Sequence, residues 1–123
     1  MNKPIRAVII GNALEEFKKL NEIVGLQVSH GKDSTEEMQL LKSIKRKIEF
    51  IKLNPFYGEN IQKHLIPKEY IIKHNVSNLF RTELSNFWRM IYTVKGDQIE
   101  IICFILDLIS HPEYDNKFGY KKR

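Results

Sequence analysis

Arg81, Glu83 and Arg89 fall in the last third of this chain and are of types that can grip a phosphate, and His111 and Tyr114 follow them as reactive groups in the tail. A guanidinium is a planar, permanently charged fork for phosphoryl oxygens, and an imidazole exchanges a proton near neutral pH. Whether these groups meet depends on strand parity. In one run Trp88, Met90, Tyr92 and Val94 alternate with Arg89, Ile91 and Thr93, and in the run before it Phe80, Thr82 and Leu84 alternate with Leu79, Arg81 and Glu83. An odd connection, Ser85 to Phe87, puts the even positions of both runs on one apolar side and gathers Arg81, Glu83 and Arg89 on the other. A two-residue Ser85-Asn86 loop would set Arg81 beside Met90 and split the apolar face, so the odd loop is expected. The resulting cluster either grips a phosphate or is a solvated ion-pair group, the commoner meaning of charges on an open face.

These residues need a scaffold. Turn-like breaks at Ser85-Asn86 and Lys95-Gly96-Asp97 separate three β-rich runs, which predicts an antiparallel meander from Asn78 onward. The third run, Ile99 to Ile109, is apolar on both faces apart from Glu100 and Asp107; it is expected to be central, covered on both sides, and to deliver the chain to His111. Upstream, Ile5 to Ile10 reads as a first strand. Asn12 with Glu15 reads as a capping box opening a helix whose apolar face is Leu14, Phe17, Ile23 and Val24 and which Gly25 ends. Gln27 to Asp33 reads as loop. A second capping box, Ser34-Thr35-Glu36-Glu37, opens the longest helix, with Leu41, Ile44, Ile48 and Ile51 at helical spacing until Asn54-Pro55. Phe56 to Asn78 is expected to be irregular, with short helical turns on the sheet. The class is therefore α+β: a small, twisted, antiparallel-rich sheet made of an N-terminal strand and a C-terminal three-stranded meander, with helices on one face.

The chain has 123 residues, enough for one domain spanning 1–123 with a real core. Its single cysteine, Cys103, excludes an intramolecular disulfide and reads as a small buried hydrophobe. Lysine and arginine outnumber aspartate and glutamate 20 to 15, a net charge of +5 that favours a polyanionic partner. On the long helix Lys42, Lys45, Arg46, Lys47 and Lys52 face Glu49; this is either a solvated face or an electrostatic footprint for nucleic acid. His30, His64 and His74 lack metal-ligand spacing, so no metal and no cofactor is expected. Trp88 and Tyr92, on the apolar face, read as core. No leader or apolar span of membrane length is legible, and a cytoplasmic protein with no membrane partner is the expectation.

The β-α-α start, the Pro55 to Gly58 turn, the strand FWRMIYTV, the apolar last strand and the tail His111-Pro112-Glu113-Tyr114-Asp115 together resemble the RelE/ParE superfamily of toxins from type II toxin-antitoxin systems. The tail is most similar to HigB-like and archaeal-type members. The resemblance covers most of the chain and rests chiefly on Trp88 to Tyr92 and His111 to Tyr120.

What it implies is an mRNA interferase: a ribosome-dependent endoribonuclease that inhibits translation and is neutralised by a cognate antitoxin protein. Such enzymes cut without metal, the ribose 2′-OH attacking the adjacent phosphate. By the resemblance, Arg89 stabilises the pentacoordinate phosphate, Arg81 is a second clamp, and His111 is the general acid. Tyr114 or Glu83 is the base or its orienter. Tyr120, Lys121, Lys122 and Arg123 would touch RNA backbone or ribosomal RNA, with Lys42, Lys45 and Arg46 as further RNA-binding candidates. The structural alternative has His111 capping a short terminal helix, with Tyr114 and Phe118 packed on the sheet. Arg89 can equally bind an acidic segment of an antitoxin. The same superfamily contains ParE-type inhibitors of DNA gyrase, and an inactive binding module would keep the fold.

Overall fold

The computed structural model describes residues 3–119, so Tyr120, Lys121, Lys122 and Arg123 lie outside the described residues. The elements are β1 (Ile5–Ile9), α1 (Gly11–Ser29), α2 (Glu36–Leu53), β2 (Glu59–Asn60), α3 (Lys68–His74), β3 (Phe80–Glu83), β4 (Arg89–Gly96), β5 (Ile101–Ile109) and α4 (His111–Phe118). They form one five-stranded sheet in the order β1-β5-β4-β3-β2. β1 runs parallel to β5 and the other pairings are antiparallel, so the sheet is mixed and the class is α+β. β5 is next to the edge strand β1, with apolar residues facing both ways, as its composition predicts.

One face carries α1 and α2. Ala13, Leu20, Leu41, Ile44 and Ile51 pack there against Phe80, Met90, Tyr92, Cys103, Ile105 and Leu108. The expectation of helices on one face alone is corrected, because α3 and α4 bring Tyr70 and Tyr114 onto the other face against Ile91, Leu106 and Ile109. A strand as apolar as β5 on both sides requires that second cover.

Two further corrections concern local signals. α1 runs through Gly25 to Ser29, and its N-cap is Ile10 with no side-chain cap, so the Asn12–Glu15 box does not form and Gln27–Ser29 are helical. A glycine inside a helix costs only about 1 kcal/mol, which burial of Leu20 and the packing of Phe17 and Val24 on the core outweigh. The buried stripe is Ala13 and Leu20, whereas Ile23 is exposed. The second box is replaced by a single cap one residue later: the Thr35 hydroxyl accepts from the Met38 N–H at 3.0 Å while the Glu37 carboxylate accepts from Gln27, and α2 ends at Asn54. In the segment expected to be irregular, Glu59–Asn60 pair with β3 as a two-residue edge strand and α3 packs on the sheet. Gly58 permits that edge: a Cβ there would lie 2.7 Å from the Arg81 carbonyl oxygen and 2.9 Å from the Tyr92 hydroxyl. The Tyr92 hydroxyl instead accepts from the Gly58 N–H and donates to the Pro55 carbonyl.

A register shift decides the fate of Asp107. Tyr92 lies opposite Ile105, yet Ile91 lies opposite Asp107, so β5 carries one extra residue there. Without this bulge Asp107 would oppose Met90 and point its carboxylate into the α1–α2 core. With it, Asp107 turns to the other face, where it is 2% exposed, accepts from the Tyr70 hydroxyl and sits 3.5 Å from the Lys117 ammonium. Lys117 also pairs with Glu69 at 3.2 Å.

Cys103 is fully buried, and burial pushes its thiol up to about 11. Burial and Asp107 likewise raise Tyr70. For Lys117 burial opposes the charge, but Asp107 and Glu69 more than offset it, so its affinity for the proton is also raised. A group that binds its proton more tightly when folded gives its full stabilisation below its unfolded pKa and loses it as pH rises toward the folded value. All three therefore act in the same sense. Stability measured by urea titration is expected to fall from about pH 8.5, the ordinary thiol range, and the Cys103→Ala variant should show a shallower decline up to about pH 11. A flat profile across that window would contradict the assignment.

Candidate functional site

β3 and β4 pair as Phe80↔Tyr92, Arg81↔Ile91, Thr82↔Met90 and Glu83↔Arg89, joined by a three-residue turn, Ser85–Phe87. This is the odd connection that the alternation predicts. Phe80, Met90 and Tyr92 go into the α1–α2 core, and Arg81, Glu83 and Arg89 share the opposite face. β2 adds Glu59 opposite Arg81, and β5 adds Ile109 opposite Arg89.

α4 then closes over this face. Its start is set by Ser110, whose N–H and hydroxyl both reach the Glu113 carboxylate, at 3.4 and 3.2 Å. Ser110, not His111, is thus the cap, and Pro112 suits the first turn, where no N–H is needed. The helix lays Tyr114 and Phe118 on the sheet with their rings stacked 4.3 Å apart. Tyr114 is 2% exposed, and the guanidinium carbons of Arg81 and Arg89 lie 5.3 and 5.4 Å from its ring centre. Both cations lean on one aromatic ring, an arrangement its negative π-face favours.

The two arginines differ in their other partners. Arg81 donates to the Tyr114 hydroxyl and, through Nε and Nη2, to the same oxygen of Glu59 at 2.9 and 2.7 Å. Partial burial works against its charge, but the bonds to Glu59 and Tyr114 prevail and hold it firmly protonated. Arg89 donates to the Phe87 carbonyl at 3.1 Å and, among the described residues, forms no salt bridge. Among the described residues Arg89 therefore has no acidic partner, beside a neighbour paired with Glu59. His111, at the start of α4, is exposed, places Nε2 3.2 Å from the Asp115 carboxylate, and has its ring 6.5 Å from that of Phe87. Tyr114 also borders a cleft of about 120 Å³ that Glu59, Gln62 and Arg81 line.

The face thus brings together Arg81, Arg89 and Tyr114, with Glu83 across the ladder from Arg89 and His111 three residues before Tyr114 on α4. It does not include Lys42, Lys45 and Arg46. These are exposed on α2, which covers the other side of the sheet, where Lys42 and Arg46 border a groove with Lys47, Phe50 and Tyr57. His30 and His64 are exposed, and no cluster of metal-ligating side chains occurs among the described residues. Two neighbours of the site were not legible in the sequence. Glu59 lies in a segment with no periodicity, and Phe87 lies in a turn, where alternation says nothing about direction.

Comparison of the chain with protein-family models, with curated proteins and with solved structures finds no match. No helix among the described residues is long and apolar enough to cross a membrane.

Proposed function

We propose that this chain is a RelE-type toxin, an endoribonuclease that cuts mRNA on the ribosome and is held in check by a cognate antitoxin. The observation that carries the reading is the convergence of Arg81 and Arg89 over the Tyr114 ring on one sheet face, with His111 on the same helix as that ring. A phosphate meeting this face finds two guanidiniums leaning on one buried ring, one paired with Glu59 and the other, among the described residues, in no salt bridge. The ribose 2′-oxygen attacks phosphorus, the bond from phosphorus to the 5′ oxygen breaks, and a cyclic phosphate and a free 5′-OH result. Arg89 balances the charge growing on the phosphoryl oxygens, and His111 gives its proton to the departing 5′ oxygen. Glu83, exposed opposite Arg89, takes the proton of the 2′-OH; buried Tyr114 orients the arginines. A RelE-like arrangement is supported by the chain order of strand, two helices, antiparallel strands and closing helix.

The test is cleavage of a defined mRNA on stalled ribosomes, with 5′ ends mapped for the wild type and for His111→Ala. Cuts confined to the ribosomal A site and reduced at least about 100-fold in the variant are expected, in keeping with loss of a general acid. Uncut mRNA, under conditions where an active interferase cuts, would overturn the reading and make DNA gyrase supercoiling the next assay. An inactive RelE-fold binding module would be negative in both.

A further inference from the structure

The turn between β3 and β4 does more than set parity. Asn86 and Phe87 both adopt left-handed backbone conformations, φ 58° and 64°, which side chains other than glycine rarely take. The turn is nevertheless pinned. The Leu84 N–H bonds the Trp88 carbonyl at 2.8 Å, the Ser85 N–H bonds the Ser43 hydroxyl on α2 at 3.1 Å, and the Asn86 amide reaches the Glu36 carbonyl at 3.2 Å. The outcome is a phenylalanine ring that is 76% exposed at the end of a rigid turn. Hydrophobic packing cannot explain strain retained to keep an aromatic ring in water. Its surroundings suggest what does: the Phe87 carbonyl holds the Arg89 guanidinium, and the Phe87 ring is tilted at 60° to that of His111.

We propose that Phe87 is a stacking platform for a nucleobase, so that one nucleotide of single-stranded RNA is held by its base on this ring and by its phosphate on Arg89. The inference rests on the proposed RNA-cutting role of the arginine face and adds to it a residue that recognises the base. An aromatic face beside a cation is what a nucleotide requires, and stacking accepts any base because every base has a π-face. A rigid ring also loses little freedom on binding. The platform would tolerate sequence variation and select for an unpaired, unstacked nucleotide.

Equilibrium binding at low salt of two probes, a short single-stranded oligoribonucleotide and its abasic counterpart with the same phosphates, tests this. Phe87→Ala and Phe87→Leu are expected to weaken binding of the base-bearing probe about tenfold and to leave the abasic probe unchanged. Phe87→Trp should restore binding or improve it, and Arg89→Ala should weaken both probes. Unaltered thermal transitions in the Phe87 variants would exclude misfolding. Equal affinity of Phe87→Ala and wild type for the base-bearing probe overturns the platform while leaving the RNA-cutting reading intact, and assigns the ring to a protein contact. Failure of the wild type to bind either probe overturns the platform too; cleavage on ribosomes then decides the wider reading separately.

Discussion

Replacing Tyr114 by alanine is expected to lower the unfolding free energy by about 3–5 kcal/mol, the usual cost of deleting a fully buried aromatic ring. The ring is 2% exposed, stacks on Phe118 and belongs to the core between α4 and the sheet. It also supports both guanidiniums, so its loss should release Arg81 and Arg89 together. Tyr114→Phe separates the two contributions. It keeps the packing and removes the hydroxyl that Arg81 contacts, so a loss of about 1.5–3 kcal/mol, that of a hydrogen bond to a charged group, is the upper range expected. Urea titration of both variants provides the measurement. A Tyr114→Ala loss below about 1 kcal/mol would mean that α4 is not seated on the sheet as described.

The second large effect is on Arg89. Arg89→Ala should reduce mRNA cleavage on ribosomes by about 100- to 1,000-fold, as removal of a preorganised group that stabilises transition-state charge does. Its effect on stability should stay within about 1 kcal/mol, because it is half-exposed and, among the described residues, offers a hydrogen bond to an exposed turn and a contact with the Tyr114 ring. Arg81→Ala should show the opposite balance. It breaks the Glu59 pair and the Tyr114 bond, so stability suffers more and cleavage less. Arg89→Lys retains the charge without the planar fork and should fall between wild type and alanine. Full cleavage by Arg89→Ala would remove the arginine face from the chemistry.

The contrast between the two arginines was only half visible in the sequence. Alternation along β3 and β4, with the odd turn, was enough to put Arg81, Glu83 and Arg89 on one face, because the two-residue period leaves a single parity that keeps Phe80, Met90 and Tyr92 together. It could not say which arginine is neutralised. That depends on Glu59, which arrives from a two-residue edge strand carrying no pattern of its own.

Local signals succeeded where a short-range contact decides and failed where packing does. Thr35 caps α2 because its hydroxyl reaches an N–H three residues away, one position later than the Ser34–Glu37 box the sequence suggests. Gly25 does not end α1, because the burial of Leu20 and packing of Phe17 and Val24 outweigh one glycine. Asp107 read as a lone charge in an apolar strand. The bulge that turns it toward Tyr70 and Lys117 is a property of two strands in register with helices on both sides.

By itself, then, the sequence determined the α+β class, the burial of β5 on both faces, the buried cysteine and the shared face of the two arginines. All of these follow from periodicity and composition, which act over a few residues. Tertiary structure alone decided that α3 and α4 cover the second face, that Tyr114 lies beneath both guanidiniums, that Glu59 pairs with Arg81 and not with Arg89, and that Phe87 stands in water. Those depend on contacts between residues far apart in the chain, as with Arg81 and Tyr114, and such contacts leave no imprint on local pattern because only chain closure brings their partners together.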